Sequence, residues 1–225
     1  MIDIHTHILP GMDDGAEDVN EALALISLLK KQGVTLAVLT PHFYSYKESL
    51  SNFLERRYLS YQSIANSDLD MLLASETYLS GSLFSYDSID QLLIANTRYL
   101  LLELPFMEKW ELGVFKQIQH LIGKYNVTPI IAHVECYEPV RYKKEKVLQE
   151  LVDLGCLLQF NIDSVVNRKS RASTLKLIKG NWADFVGSDC HNMTTRPPQF
   201  DTFNKIVEKK LCPEYKEGWN LCILQ

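Results

Sequence analysis

Seven short, mainly apolar runs alternate with helical stretches along this chain, and that alternation leaves few folds open. The runs cover residues 1–4, 35–40, 70–75, 99–102, 128–132, 156–160 and 184–187. Each is long enough for a strand that is buried on both faces, as strands are in a parallel sheet covered by helices. Between them, Asp18 with Glu21 reads as a capping box. Val19, Ala22, Leu23, Ile26 and Leu29 then share one helical face, and Gly33 stops that helix. Further helices are expected over 52–63, 111–124, 139–154 and 168–179. Strands that alternate with helices build parallel βα units, and seven of them build an α/β barrel or near-barrel. No linker, repeat or low-complexity segment divides the 225 residues, so 1–225 reads as one domain. The stretch from Lys210 onward has no assignable pattern.

The residues that end these runs are more telling than the runs themselves. In order they are His5 and His7, His42, Glu76, Glu103, His133, Asn161, and Asp189 with His191. Side chains alternate along a strand, so His5 and His7 point the same way. The following turn carries Asp13 and Asp14. Five of the six histidines stand just past an apolar run; only His120 lies inside a helical stretch. In a parallel barrel the strand ends converge on one rim, where such folds carry their chemistry. Carboxylates gathered there repel one another unless cations neutralise them. Imidazole and carboxylate together suit Zn, Mn or Fe, and the number of ligands fits two or three ions.

Composition narrows the partners. Charged residues make up 23% of the chain, hydrophobic residues 46%, and the net charge is −5. With no basic stripe, nucleic acid is not expected as a partner. No stretch approaches 18 uninterrupted apolar residues and the N-terminus lacks a positive, then apolar leader. A soluble, cytoplasmic protein without membrane insertion is therefore expected. The five cysteines (136, 156, 190, 212 and 222) form no Cys-x-x-Cys pair, so neither disulfides nor a thiolate zinc site is expected.

Taken together, the motifs resemble the PHP (polymerase and histidinol phosphatase) superfamily: Asp3-x-His5-x-His7, Pro41-His42, Glu76, His133 and Ser188-Asp189-x-His191. Asp13-Asp14-Gly15, Glu103-Leu104-Pro105 and Arg196-Pro197-Pro198 are similar to one branch, the manganese-dependent protein-tyrosine phosphatases of bacterial capsule and exopolysaccharide operons. The resemblance implies a distorted seven-stranded β/α barrel with a trinuclear site. It assigns His5, His7, Glu76 and Asp189 to one ion, and Asp14, His42 and His191 to a second. Glu76 as a bridge, with Glu103 and His133, would hold the third. Asp14 rather than Asp13 matches the branch. The implied reaction is hydrolysis of phosphotyrosine by a hydroxide between the ions, with Arg196 clamping the phosphate. The implied substrate is a phosphotyrosine protein, foremost a bacterial tyrosine kinase of polysaccharide export. The alternatives are a small-molecule phosphoesterase, such as one for histidinol phosphate, and a catalytically weak scaffold.

Three further features bear on this reading. The family's His-Pro-Glu-Arg-Tyr is His133-Val-Glu-Cys136-Tyr137 here, so its second phosphate-binding arginine is missing, with Arg141 the nearest replacement. Cys190 to Arg196 matches the Cys-x5-Arg spacing of thiol-dependent phosphatases. Its loop has no glycine, however, and it includes His191, so the thiol mechanism is not expected. Phe43, Tyr44, Tyr46 and the aromatics of 106–110 could line a groove for a tyrosyl ring or simply pack the rim.

Overall fold

The computed structural model describes residues 1–211, with only the backbone for residues 142–144. Strand β1 (Ile2–Thr6) leads to helix α1 (Val19–Lys31), and the short strands β2 (Leu36–Leu39) and β3 (His42–Phe43) precede α2 (Leu50–Ile64). Strands β4 (Asp70–Leu73), β5 (Glu76–Tyr78) and β6 (Tyr99–Glu103) come next, followed by α3 (Leu112–Tyr125), β7 (Thr128–Ile131) and α4 (Glu138–Asp153). The described chain closes with β8 (Leu157–Asn161), α5 (Ile162–Val166), α6 (Arg171–Lys179), β9 (Phe185–Gly187) and α7 (Phe200–Lys210). No helix among the described residues is long and apolar enough to cross a membrane.

Every strand pairing is parallel. The strands run β1-β2-β4 in one sheet and β3-β5-β6-β7-β8-β9 in another, together a curled parallel sheet with helices outside. The sequence implies seven strands, whereas nine are present among the described residues. Two of the expected runs are each followed by a second short strand, β3 and β5, after interruptions at Thr40-Pro41 and at Ala74-Ser75. Proline has no N–H to donate to a ladder, which explains the first break. The chain bridges both interruptions, with Thr40 N–H donating to Thr6 O and Ala74 N–H to Leu39 O. At the far end Asp189 N–H donates to His5 O and His7 N–H to Cys190 O, which ties the segment after β9 to β1.

Two apolar clusters hold this arrangement. The larger lies between the sheet and its helices. The smaller gathers Ile2, Ile4, Val38, Leu101, Ile130 and Phe185 from five strands, with Ala74, Ile94 and Ala132 beside them, so the curl encloses it. Side chains two apart share a strand face. Following the enclosed face along each strand gives Tyr99-Leu101-Glu103, Leu157-Gln159-Asn161 and Phe185-Gly187-Asp189. Each row begins apolar and ends polar, so the polar ends lie together at one rim.

Strand β1 needs an extra device. Ile4 belongs to the enclosed cluster, and so, by strict alternation, should Thr6 rather than His5. The register shifts between Asp3 and Thr6, where four residues oppose the three residues Ala37–Leu39. Such a bulge re-aims the following side chains, and it lets His5 and His7 join the rim above Ile4.

Helix α1 begins as expected. The Asp18 carboxylate accepts from Asn20 N–H and Glu21 N–H, while the Glu21 carboxylate accepts from Glu17 N–H. Two helices go beyond the sequence expectation. The short α5 follows β8 directly. Helix α7 buries Phe200, Phe203 and Val207, an i, i+3, i+7 stripe. Cys212 and Cys222 lie outside the described residues.

Candidate metal centre

The rim brings together all nine residues expected to ligate metal. His5 Nε2 and His7 Nε2 are 3.1 Å apart, and they lie 3.2 and 3.3 Å from Glu76 Oε2. Both are 3.5 Å from Asp189 Oδ1. His42 Nδ1 is 3.0 Å from Glu76 Oε2 and 3.9 Å from Glu103 Oε2. Asp14 Oδ1 stands 3.5 Å from both His42 Nε2 and His191 Nε2, and His133 Nε2 stands 2.9 Å from Glu76 Oε1. Three groups have ligand atoms close enough to share an ion: His5, His7 and Asp189; His7, Asp14, His42 and His191; and His42, Glu76 and Glu103. This partition differs from the implied one: Glu76 is not in the first group, His7 joins the second, and His42 rather than His133 closes the third.

The donor set fits divalent cations. Among the described residues, Glu76 Oε2, Glu103 Oε2 and His42 Nδ1 are buried and make no hydrogen bond. Two carboxylate oxygens and an imidazole nitrogen left unpartnered toward one point are costly without a cation between them. Titration reflects this electrostatic crowding. Burial, reinforced by the Glu76 charge, pushes Glu103 up to about 7. Burial would raise Glu76 too, but the charge on His5, the hydrogen bond from His133 and the close approach of His42 hold it well below the usual carboxylate range. Against burial, Asp14 and Glu76 raise His42 to about 11, and Glu76 raises His133 to about 9. Hydrogen bonds from His191 and His42 lower Asp14. Burial opposes the charge on Asp189, yet His5 and His7 hold it at about 2.

A second set of residues aims the imidazoles. Asp13 Oδ2 accepts from His7 Nδ1 at 2.7 Å and from His42 N–H at 2.9 Å. Gln159 Oε1 accepts from His5 Nδ1 at 3.1 Å and from His133 N–H at 2.7 Å, and Gln159 Nε2 donates to Asn161 Oδ1. Asn161 Nδ2 in turn donates to Asp189 Oδ2 at 2.7 Å. His191 Nδ1 donates to Asp189 O. A proton fixed on one ring nitrogen leaves the other as a lone pair facing the centre. Sequence reasoning missed Gln159. Its signal was its place two residues before Asn161 on the same strand face.

The cavity over these residues has a volume of about 460 Å³. Arg196 lines it, donating to Asp189 Oδ2 at 2.6 Å and reaching His191 Nε2 at 2.9 Å. Its loop turns around Asn192 Oδ1, which accepts from the N–H groups of Thr194, Thr195 and Arg196. Arg141 does not line this cavity; it lines a neighbouring one behind Cys136. Cys190 is fully buried, and burial pushes its thiol far up, so it offers no nucleophile to the cavity. His120 lies in α3 against Phe84, away from the rim. A larger groove of about 830 Å³ runs past Trp110 and Val147, and no site residue lines it.

Comparison with known proteins agrees with this geometry. The tyrosine-protein phosphatase YwqE of Bacillus subtilis is 32% identical over 95% of this chain and 86% of its own length. The tyrosine-protein phosphatase CpsB of Streptococcus pneumoniae is 30% identical over 93% of this chain and 90% of its own. A solved structure described as "Crystal structures of YwqE from Bacillus subtilis and CpsB from Streptococcus pneumoniae, unique metal-dependent tyrosine phosphatases" matches with a TM-score of 0.79 and 28% identity, covering 96% of this chain and 89% of that chain. An organophosphorus hydrolase variant from Deinococcus radiodurans shares the fold alone, at a TM-score of 0.56 and 14% identity over 99% of this chain and 91% of its own. The sequence pattern of the family described as "Capsular polysaccharide synthesis, CpsB/CapC" matches residues 1–220, and this chain belongs to that family.

Proposed function

We propose that this chain is a metal-dependent protein-tyrosine phosphatase. The observation that carries the reading is the convergence of Glu76 Oε2, Glu103 Oε2 and His42 Nδ1, buried without hydrogen-bond partners, among six further His, Asp and Glu side chains. His5, His7, Asp189 and Glu76 would hold one ion; Asp14, His42 and His191 a second; Glu76, Glu103, His42 and His133 a third where three are bound. Manganese is the first choice, with iron or zinc also compatible with nitrogen and oxygen donors. When bound, the ions neutralise phosphate oxygens and make water nucleophilic near neutral pH.

The chain's own groups do the rest. Arg196 presents a forked set of N–H donors at the cavity wall, suited to phosphate oxygens. Asp13 and Gln159 hold the imidazoles in one tautomer, and burial of His5, His7 and Glu76 keeps bulk water away from their donor atoms. We further read residues 1–225 as one functional unit, because the family pattern spans 1–220. The strands read as a distorted seven-stranded barrel once β2 with β3 and β4 with β5 are counted as two broken strands. The tie from Thr6 to Cys190 supports closure. The substrate proposed is a phosphotyrosine protein in the cytoplasm, foremost a tyrosine kinase of polysaccharide export, as the capsule family suggests.

One observation favours weaker catalysis. Cys136 replaces an arginine and Arg141 faces another cavity, which leaves Arg196 as the arginine lining the site among the described residues. The deciding experiment is hydrolysis of a phosphotyrosine peptide with Mn²⁺ or with EDTA, beside Cys190→Ser and His42→Ala. Activity that needs metal, survives Cys190→Ser and is lost in His42→Ala supports the proposal. Activity that resists EDTA and disappears with Cys190→Ser overturns it. Turnover of histidinol phosphate alone would favour a small-molecule phosphoesterase, and no turnover with any metal would favour a scaffold.

A further inference from the structure

The rim aromatics divide into three kinds. Phe43 and Trp110 belong to the core, and Trp110 Nε1 donates to Pro105 O. Tyr44, Tyr46 and Tyr78 form a triangle with ring centroids 5.7–5.9 Å apart, and Lys47 Nζ lies 3.8 Å over the Tyr44 ring. None of the three lines the central cavity. Phe106 does, and it is 62% exposed.

An exposed phenyl ring at the mouth of an otherwise polar cavity gains nothing from the core and costs free energy in water. Phe106 is nonetheless held in place. Its ring lies nearly parallel to that of His133, at 5.6 Å and 28°, and 4.8 Å from that of Tyr137. Tyr137 is itself locked, its hydroxyl accepting from Leu104 N–H. The ring is thus fixed from behind and open in front. It is the one large apolar side chain among those that line the cavity, and Arg196 belongs to the same lining.

We propose that Phe106 is the platform on which the aryl ring of the substrate stacks, so that it selects aryl phosphates over alkyl phosphates. This rests on the phosphotyrosine reading and adds the residue that reads the ring. A phosphate held at the rim by Arg196 has its ester group leading out through the mouth. An aromatic ester group meets Phe106 there, whereas a methyl or methylene group is too short to cover it. Pre-ordering of the platform by His133 and Tyr137 limits the entropy lost on stacking.

The test is calorimetric binding of phenylphosphonate and of methylphosphonate, neither of which is hydrolysed, to the manganese-loaded protein and its Phe106→Ala and Phe106→Tyr variants. Wild type should prefer the phenyl compound. Phe106→Ala should weaken phenylphosphonate about 2- to 12-fold, the ~0.5–1.5 kcal/mol of an aromatic pair converted at ~1.4 kcal/mol per decade. It should leave methylphosphonate within about twofold, and Phe106→Tyr should restore the preference. Equal weakening of both ligands would assign Phe106 to support of the centre and overturn the inference. So would no change in either, or the absence of a phenyl preference in wild type. Binding is read without turnover, so a protein that prefers phenylphosphonate yet leaves phosphotyrosine peptides intact refutes the phosphatase reading and not the platform.

Discussion

Gln159 ties together His5, His133 and Asn161 at the rim, and its replacement by methionine makes a sharp test. The side chain is fully buried. Methionine keeps its length but neither accepts from His5 Nδ1 and His133 N–H nor donates to Asn161 Oδ1, the three bonds Gln159 makes at 3.1, 2.7 and 2.9 Å. Each buried polar group left unpaired costs about 1–3 kcal/mol. Three such groups, discounted because they share one network, should destabilise the metal-free protein by about 2–5 kcal/mol. That is a large part of the ~5–15 kcal/mol typical of a domain. Urea unfolding would read this as a lower midpoint with an unchanged slope. Manganese binding, followed from the spectrum of unbound ion, should weaken by about 10- to 100-fold, as expected when a group that orients ligands is removed. A variant within about 0.5 kcal/mol of wild type that binds manganese normally would refute the bracing role.

Three further outcomes follow from other parts of the molecule. Gly15→Ala should lower the melting temperature and displace His7, because the new Cβ would lie 2.0 Å from His7 O and 2.6 Å from His7 Cβ, atoms that cannot move aside cheaply; overpacking of this kind costs about 1–3 kcal/mol or more. Asp189 has a φ of 52°, so Asp189→Gly should be more stable than Asp189→Ala by about 1 kcal/mol in metal-free protein, the reverse of the usual order, as chemical denaturation would show. Burial raises Cys156 to about 12 and raises Cys136 and Cys190 as well, so thiols that ionise near 9 when unfolded stay protonated when folded. Stability should therefore fall as pH climbs above about 9, by up to ~1.4 kcal/mol per unit for each thiol, and urea midpoints at pH 8 and pH 10 would show it.

The fold was legible because its alternation of strands and helices is carried by burial, which composition records directly. The cluster of candidate ligands was legible because, Asp14 in the turn after β1 apart, the residues that meet at the rim stand at or just past strand ends. The bulge in β1 was not, since a one-residue register shift depends on the neighbouring strand and leaves no local mark. His5 and His7 share a face as alternation requires, but their place above Ile4 comes from that bulge. The breaks at Thr40-Pro41 and Ala74-Ser75 were hidden for a similar reason, although the proline hinted at the first. Helix α7 carried a readable stripe at Phe200, Phe203 and Val207 that went unread. The partition of ligands was also beyond sequence, because the two nitrogens of His42 face opposite groups, one toward Glu76 and the other toward Asp14.

Strand β8 explains how so polar a rim stays ordered. Neighbouring strands end their enclosed rows on carboxylates or are followed by imidazoles, while β8 ends its row on two amides, Gln159 and Asn161. An amide carries no charge, so it adds nothing to the repulsion among Glu76, Glu103 and Asp189, yet it both donates and accepts. Gln159 satisfies donors on His5 and His133, and Asn161 satisfies an acceptor on Asp189, linking positions on or beside three other strands. Asp189 and His133 both sit in left-handed backbone, at φ 52° and 34°, a strain that persists only where surrounding bonds fix it. The bonds that do so are Asp189 N–H to His5 O and His133 N–H to Gln159 Oε1. A charged residue in place of either amide would add to the cluster it now steadies. On this argument a strand that offers none of the nine candidate ligands sets the geometry of those on its neighbours.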